Sequence, residues 1–121
     1  MIRDLRPNEV FVFGSNAGGL HAGGAARFAL ENFGAVWGQG HGLQGRSYAI
    51  DTMSGLAALQ GEVSVFLGFA AEHPELRFLV TEIGCGIAGY TPAEVAPLFT
   101  ETPANVVLPE SFAEIVRQRQ D

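Results

Sequence analysis

The run Glu9 to Phe13 (EVFVF) is β-branched and aromatic and ends at Gly14-Ser15-Asn16, which predicts a short buried strand feeding a loop. After Gly24 the period lengthens. Ala25, Ala26, Phe28, Ala29, Leu30 and Phe33 fall at helical spacing, and Gly34 stops the pattern. Trp37 to Gly45 (WGQGHGLQG) carries too many glycines for regular structure and leads into a second strand at Ser47 to Ile50. From Gly55 to Glu72 the apolar positions Leu56, Leu59, Val63, Phe66, Leu67 and Ala70 recur every three or four residues until His73-Pro74, predicting the longest helix. Arg77 to Thr81 reads as a third strand and Ile83 to Tyr90 (IGCGIAGY) as a second glycine loop. Thr91-Pro92 supplies an N-cap and a first-turn proline for a helix over Ala93 to Leu98. Asn105 to Leu108 predicts a last strand and Pro109 to Arg117 a closing amphipathic helix. Strands alternating with helices imply an α/β fold with a mainly parallel central sheet covered on both faces.

Composition narrows the picture. With 121 residues, 47% hydrophobic and 17% charged, residues 1–121 are expected to form a single globular domain. The net charge is −6, and all seven basic residues are arginines. The absence of lysine excludes a Walker-type phosphate loop and a lysine nucleophile. An acidic chain lacks the counterion-release contribution to nucleic-acid affinity, so no direct binding to unmodified nucleic acid is expected. The single cysteine, Cys85, precludes an intramolecular disulfide. No apolar stretch approaches the ~18 residues of a membrane span, and no apolar export run follows Met1. The expectation is a cytoplasmic protein with no membrane partner.

Eight of the sixteen glycines fall in two loops, at the carboxyl ends of predicted strands, where open α/β sheets bind ligands. Loop one, Gly14 to Gly24, runs into a helix start whose free N–H groups favour an anion, and loop two, Gly84 to Gly89, precedes the helix at Pro92. Two such loops on neighbouring strands can clamp a diphosphate with backbone dipoles alone, which suits an acidic chain. Taken singly, either loop is explained as a tight strand-to-helix turn.

The strings FVFGSNAGGLHAGGAARFAL, GQGHGLQGRSYAI and FLVTEIGCGIAGYTPAEVA, in that order, resemble a shortened macro domain from about Val10 to Leu108. They are most similar to a small group of bacterial and phage proteins that share the FGSN, GLQG and IGCG-AGY strings. The resemblance implies a three-layer α/β/α sandwich that binds ADP-ribose or a related nucleotide diphosphate-ribose in a cleft, with no metal and no cofactor. It leaves two alternatives open: an ADP-ribosyl hydrolase, or a non-enzymatic reader of ADP-ribosylated macromolecules or nucleotide signals. It implies that Asn16 contacts the ribose bearing the anomeric carbon and that Gly23, Gly24 and Ala25 form the first phosphate loop. Gly84, Cys85, Gly86, Ile87, Ala88 and Gly89 correspond to the second, with Tyr90 at its aromatic end, and Gly14 and Ser15 lead into the site. The chain departs from the superfamily where it reads Ala25-Ala26-Arg27, without a water-orienting aspartate, and Ala88-Gly89, without the aspartate that assists a lysine adduct. Asp4 is the one residue that corresponds, weakly, to the aspartate that commonly reads adenine.

Individual side chains carry competing assignments. His21 is either a phosphate donor and general acid–base or a solvent-exposed loop histidine that caps a carbonyl, and with Asn16 it completes the expected catalytic pair. His41 is a structural histidine or a cleft residue, and a His21–His41 metal pair lacks a third ligand. Cys85 is a nucleophile activated by loop two or a small buried thiol. Glu82 and Asp51 end strands on the ligand side as bases or as solvated residues. Tyr90 either meets a ribose or packs over the next helix, and Trp37 reads as a packed aromatic. Gln44 and Arg46 line the entrance or lie on the surface, Arg46 being the best single cation for a phosphate.

Overall fold

A computed structural model describes residues 4–120. The first three residues, on which the expectation about an export leader partly rests, lie outside that range. The elements run β1 (Glu9–Ser15), α1 (Gly24–Asn32), β2 (Gly42–Gln44), β3 (Ser47–Asp51), α2 (Leu56–Glu72), β4 (Arg77–Val80), α3 (Pro92–Val95), a 3-10 turn (Ala96–Phe99), β5 (Val106–Val107) and α4 (Glu110–Gln120). Among the described residues, five strands form one sheet in the order β2-β3-β1-β4-β5. β1 pairs in parallel with both β3 and β4, β4 pairs in parallel with β5, and only β2 runs antiparallel. The fold is therefore mixed α/β with a mostly parallel sheet.

Alternation along β1 divides the apolar side chains. Val10 and Val12 join a large cluster with Ile50, Phe78, Leu59 and Phe66 of α2 and Phe112 of α4. Phe11 and Phe13 join a smaller cluster with Ala26 and Ala29 of α1, Phe33 and Ala49. β3 is buried along its whole length, as a strand next to the sheet centre requires.

The segment expected to be irregular, Trp37 to Gly45, contains β2. Gly45, at φ +61°, opens a two-residue turn that folds Gly42–Gln44 back onto β3, with Leu43 opposite Tyr48. Sequence inspection treats its glycines as strand breakers, yet one of them makes the hairpin. The helix expected over Ala93 to Leu98 is one α turn capped by Thr91, whose side chain accepts from the Glu94 N–H, followed by the 3-10 turn. No helix among the described residues is long and apolar enough to cross a membrane.

The topology creates a crevice. From the carboxyl end of β1 the chain crosses to β3 on one side, whereas β4 lies on the other side of β1 and leads outward to β5. Loops one and two therefore leave adjacent parallel strands in opposite directions, the arrangement that opens a binding crevice in α/β sheets.

Candidate functional site

A cleft of about 480 Å³ occupies this crevice. Loop one contributes Gly14, Ser15, Asn16 and Gly23, and the start of α1 contributes Gly24, Ala25 and Ala26. Thr52 and Met53, after β3, form its floor on one side, and Thr81 to Gly84 and Gly86 to Ala88 form the other. Gly23 caps α1 without any side-chain hydrogen bond. Among the described residues, the N–H groups of Gly24, Ala25 and Ala26 have no protein acceptor, and neither do those of Gly86, Ile87 and Ala88. Two sets of free donors thus border one cleft from opposite walls.

The glycines separate into two kinds. A Cβ on Gly40 would lie 2.0 Å from the Asn16 carbonyl oxygen, and one on Gly19 would lie 2.3 Å from the Gln39 nitrogen, so these residues let loop one lie directly on the segment before β2. By contrast, a Cβ on Gly23, Gly24 or Gly86 would meet nothing within 4 Å. The first kind serves backbone packing, and the second leaves the cleft open.

Loop one is held by its own polar groups. The Asn16 side chain closes a ring on Leu20, accepting from its N–H at 2.9 Å and donating to its carbonyl at 3.2 Å. His21 is fully buried and does not line the cleft, which corrects the expectation of an exposed or phosphate-facing histidine. Its Nδ1 lies 2.9 Å from Ser15 Oγ and its Nε2 3.2 Å from Gln44 Oε1. Gln44 Oε1 also accepts from the Val36 N–H at 2.8 Å, while its Nε2 donates to the Gln39 and Gly42 carbonyls. With Oε1 an acceptor, His21 Nε2 must carry hydrogen, and in the neutral ring Nδ1 accepts from the Ser15 hydroxyl. The ring stands edge-on to Phe13, at a centroid distance of 5.2 Å.

The remaining polar candidates are similarly occupied. Asp51 is buried, and its carboxylate accepts from the Met53 N–H and the Ser54 hydroxyl, shaping the turn after β3. Arg46 donates to the Leu5 and Arg6 carbonyls and ties down the N-terminal segment, far from a phosphate-binding role. Arg27 faces Glu31 one turn along α1, and His41 pairs with Glu62 of α2 at 2.7 Å. Trp37 is exposed and Gln44 is buried, the reverse of their expected positions. Cys85, Gly89 and Tyr90 do not line the cleft. Tyr90 and Cys85 pack against the large core cluster. Burial, and then the nearby carboxylates of Glu82 and Glu94, push the Cys85 thiol above its ordinary range, so it is poor in thiolate near neutral pH.

Sequence reasoning missed a second feature. An apolar groove of about 1010 Å³ adjoins the cleft, bounded by Phe11 and Phe28 on the α1 side and by Leu79, Val107, Leu108 and Pro109 along β4 and β5. Gly24, Ala25, Thr81 and Glu82 border both spaces. Its signal in the sequence is the strand pair Arg77 to Val80 and Val106-Val107, whose Leu79 and Val107 lie opposite each other in register and are only partly buried. Glu82 is exposed at the shared border, and its Oε2 accepts from Ser111 Oγ at 2.6 Å. No family model, curated protein or solved structure matches this chain.

Proposed function

We propose that the chain is a macro-like domain, a three-layer α/β/α fold, that binds ADP-ribose or a related nucleotide diphosphate-ribose between loops one and two. The observation that carries this reading is the pair of unpartnered N–H sets, Gly24 to Ala26 and Gly86 to Ala88, on opposite walls of one cleft. A diphosphate offers acceptor oxygens on both flanks, so one ligand satisfies both walls without a cation. The adjoining groove supplies apolar surface against which an adenine ring can pack. The Asn16 end of the cleft receives the distal ribose.

The site favours binding over turnover, which makes the chain a reader of ADP-ribosylated macromolecules. The Asn16 amide is spent on Leu20, His21 is buried between Ser15 and Gln44, and the Asp51 carboxylate is held by its own turn. None of these groups is free to activate water, and Glu82, the carboxylate that does border the cleft, stands at its junction with the apolar groove rather than at the Asn16 end; a positioned base is worth about 10²–10⁴-fold in rate. Titration calorimetry is expected to show binding of ADP-ribose and none of ribose. Failure of ADP-ribose to bind at millimolar concentration overturns the reading. Incubation with mono-ADP-ribosylated protein is expected to release no ADP-ribose above background, and rapid release would restore the hydrolase.

A further inference from the structure

Glu82 stands where the two spaces join. It follows β4 directly, borders both the cleft and the apolar groove, and is exposed. The Ser111 hydroxyl at the start of α4 holds Oε2. Among the described residues Oε1 has no hydrogen-bond donor, and no arginine or histidine pairs with the carboxylate. An ionised carboxylate only accepts, and it repels a second anion. The phosphates of a ligand therefore belong on the loop side of Glu82, and the part of the ligand that passes it must be neutral and carry donors. In a nucleotide whose diphosphate lies between the loops and whose base lies in the groove, that part is the nucleoside ribose. Its neighbouring 2′ and 3′ hydroxyls are the donors nearest the junction.

We propose that Glu82 accepts hydrogen bonds from this ribose diol and so restricts the site to ligands with a free 2′-hydroxyl, rejecting 2′-phosphorylated nucleotides. The proposal rests on the diphosphate-ribose reading and adds a selection rule to it. An acidic side chain excludes 2′-phosphates from dinucleotide sites by the same acceptor geometry and repulsion. Ser111 acts as a positioning residue that fixes Oε2 and leaves Oε1 to accept from the ligand.

The test is calorimetric titration of the full chain with ADP-ribose and with ADP-ribose 2′-phosphate. Wild type is expected to favour ADP-ribose by about tenfold or more, the scale of a hydrogen bond to a charged group. Glu82→Gln, which can donate to a phosphate, is expected to shrink the preference to about threefold or less, and Glu82→Arg to reverse it. Thermal unfolding of the variants checks that these exposed substitutions leave the fold intact. Equal binding of the two ligands by wild type, or a preference unchanged in Glu82→Gln, overturns the role of Glu82 while leaving ADP-ribose binding in place. Binding of neither ligand at millimolar concentration overturns the diphosphate-ribose reading and this selection rule with it.

Discussion

At His21, burial and hydrogen bonding together fix the shape of loop one. The imidazole bridges Ser15, at the end of β1, and Gln44, at the end of β2, and Gln44 in turn gathers the Val36 N–H and the Gln39 and Gly42 carbonyls. Removing the ring would open a cavity beside Phe13 and leave the Ser15 hydroxyl without its partner. His21→Ala is therefore expected to lose about 2–4 kcal/mol of stability in urea unfolding. Any loss of ligand binding should then follow the folded fraction. A variant as stable as wild type but unable to bind would return His21 to the site. The sequence discloses a histidine among glycines but not its burial, because its partner Gln44 lies 23 positions away and reaches it only through the hairpin turn. Asn16 is a similar case: the resemblance assigns its amide to a ribose, whereas the geometry of Gly18 and Gly19 brings that amide onto Leu20.

Within the two loops, a substitution's effect depends on what its Cβ would meet. Gly86 has open space around it and does not adopt a left-handed conformation, so Gly86→Val should fold. Its side chain would stand beside the free donors of loop two. The expected result is a melting temperature within about 4 °C of wild type and a loss of ADP-ribose affinity of about tenfold or more. Gly40→Ala is the converse: its methyl would collide with the Asn16 carbonyl, so loop one must move and the melting temperature must fall. If Gly86→Val binds normally, loop two is not a wall of the site. The elements themselves were largely legible, since β1, α1, β3, α2 and β4 follow apolar runs and periods that packing on the sheet reinforces. β2 was not, because three residues rich in glycine carry no periodic signal and their pairing depends on a turn. The termination of α3 after one turn was equally hidden, since Ala93 to Leu98 is as compatible with an α-helix as with the observed 3-10 continuation.

Across the whole molecule, the position of the site follows from strand order, which alternation of strands and helices implies only in outline. Placing both glycine loops at carboxyl strand ends was legible. That β1 and β4 are neighbours, and that the groove beside them stays open, required the sheet. The charge balance then makes a further expectation. The chain carries −6 overall, and the arginines nearest the two loops in sequence are engaged elsewhere, Arg27 with Glu31 and Arg77 with Glu9, while Arg46 donates to backbone carbonyls. A site built on arginine loses affinity for an anion as salt screens the attraction, whereas a site built on backbone N–H groups in an acidic protein has net long-range repulsion to screen. Between about 0.02 and about 0.3 M sodium chloride, the affinity for ADP-ribose is therefore expected to stay constant or rise by up to about threefold. Calorimetric titrations across that range provide the check. A steep fall in affinity would mean that an arginine reaches the diphosphate, and it would replace the backbone clamp with a cationic one. A profile that rises more steeply with salt in Glu82→Gln than in wild type would contradict the same electrostatics, because removing a negative charge at the cleft border leaves less repulsion for salt to relieve.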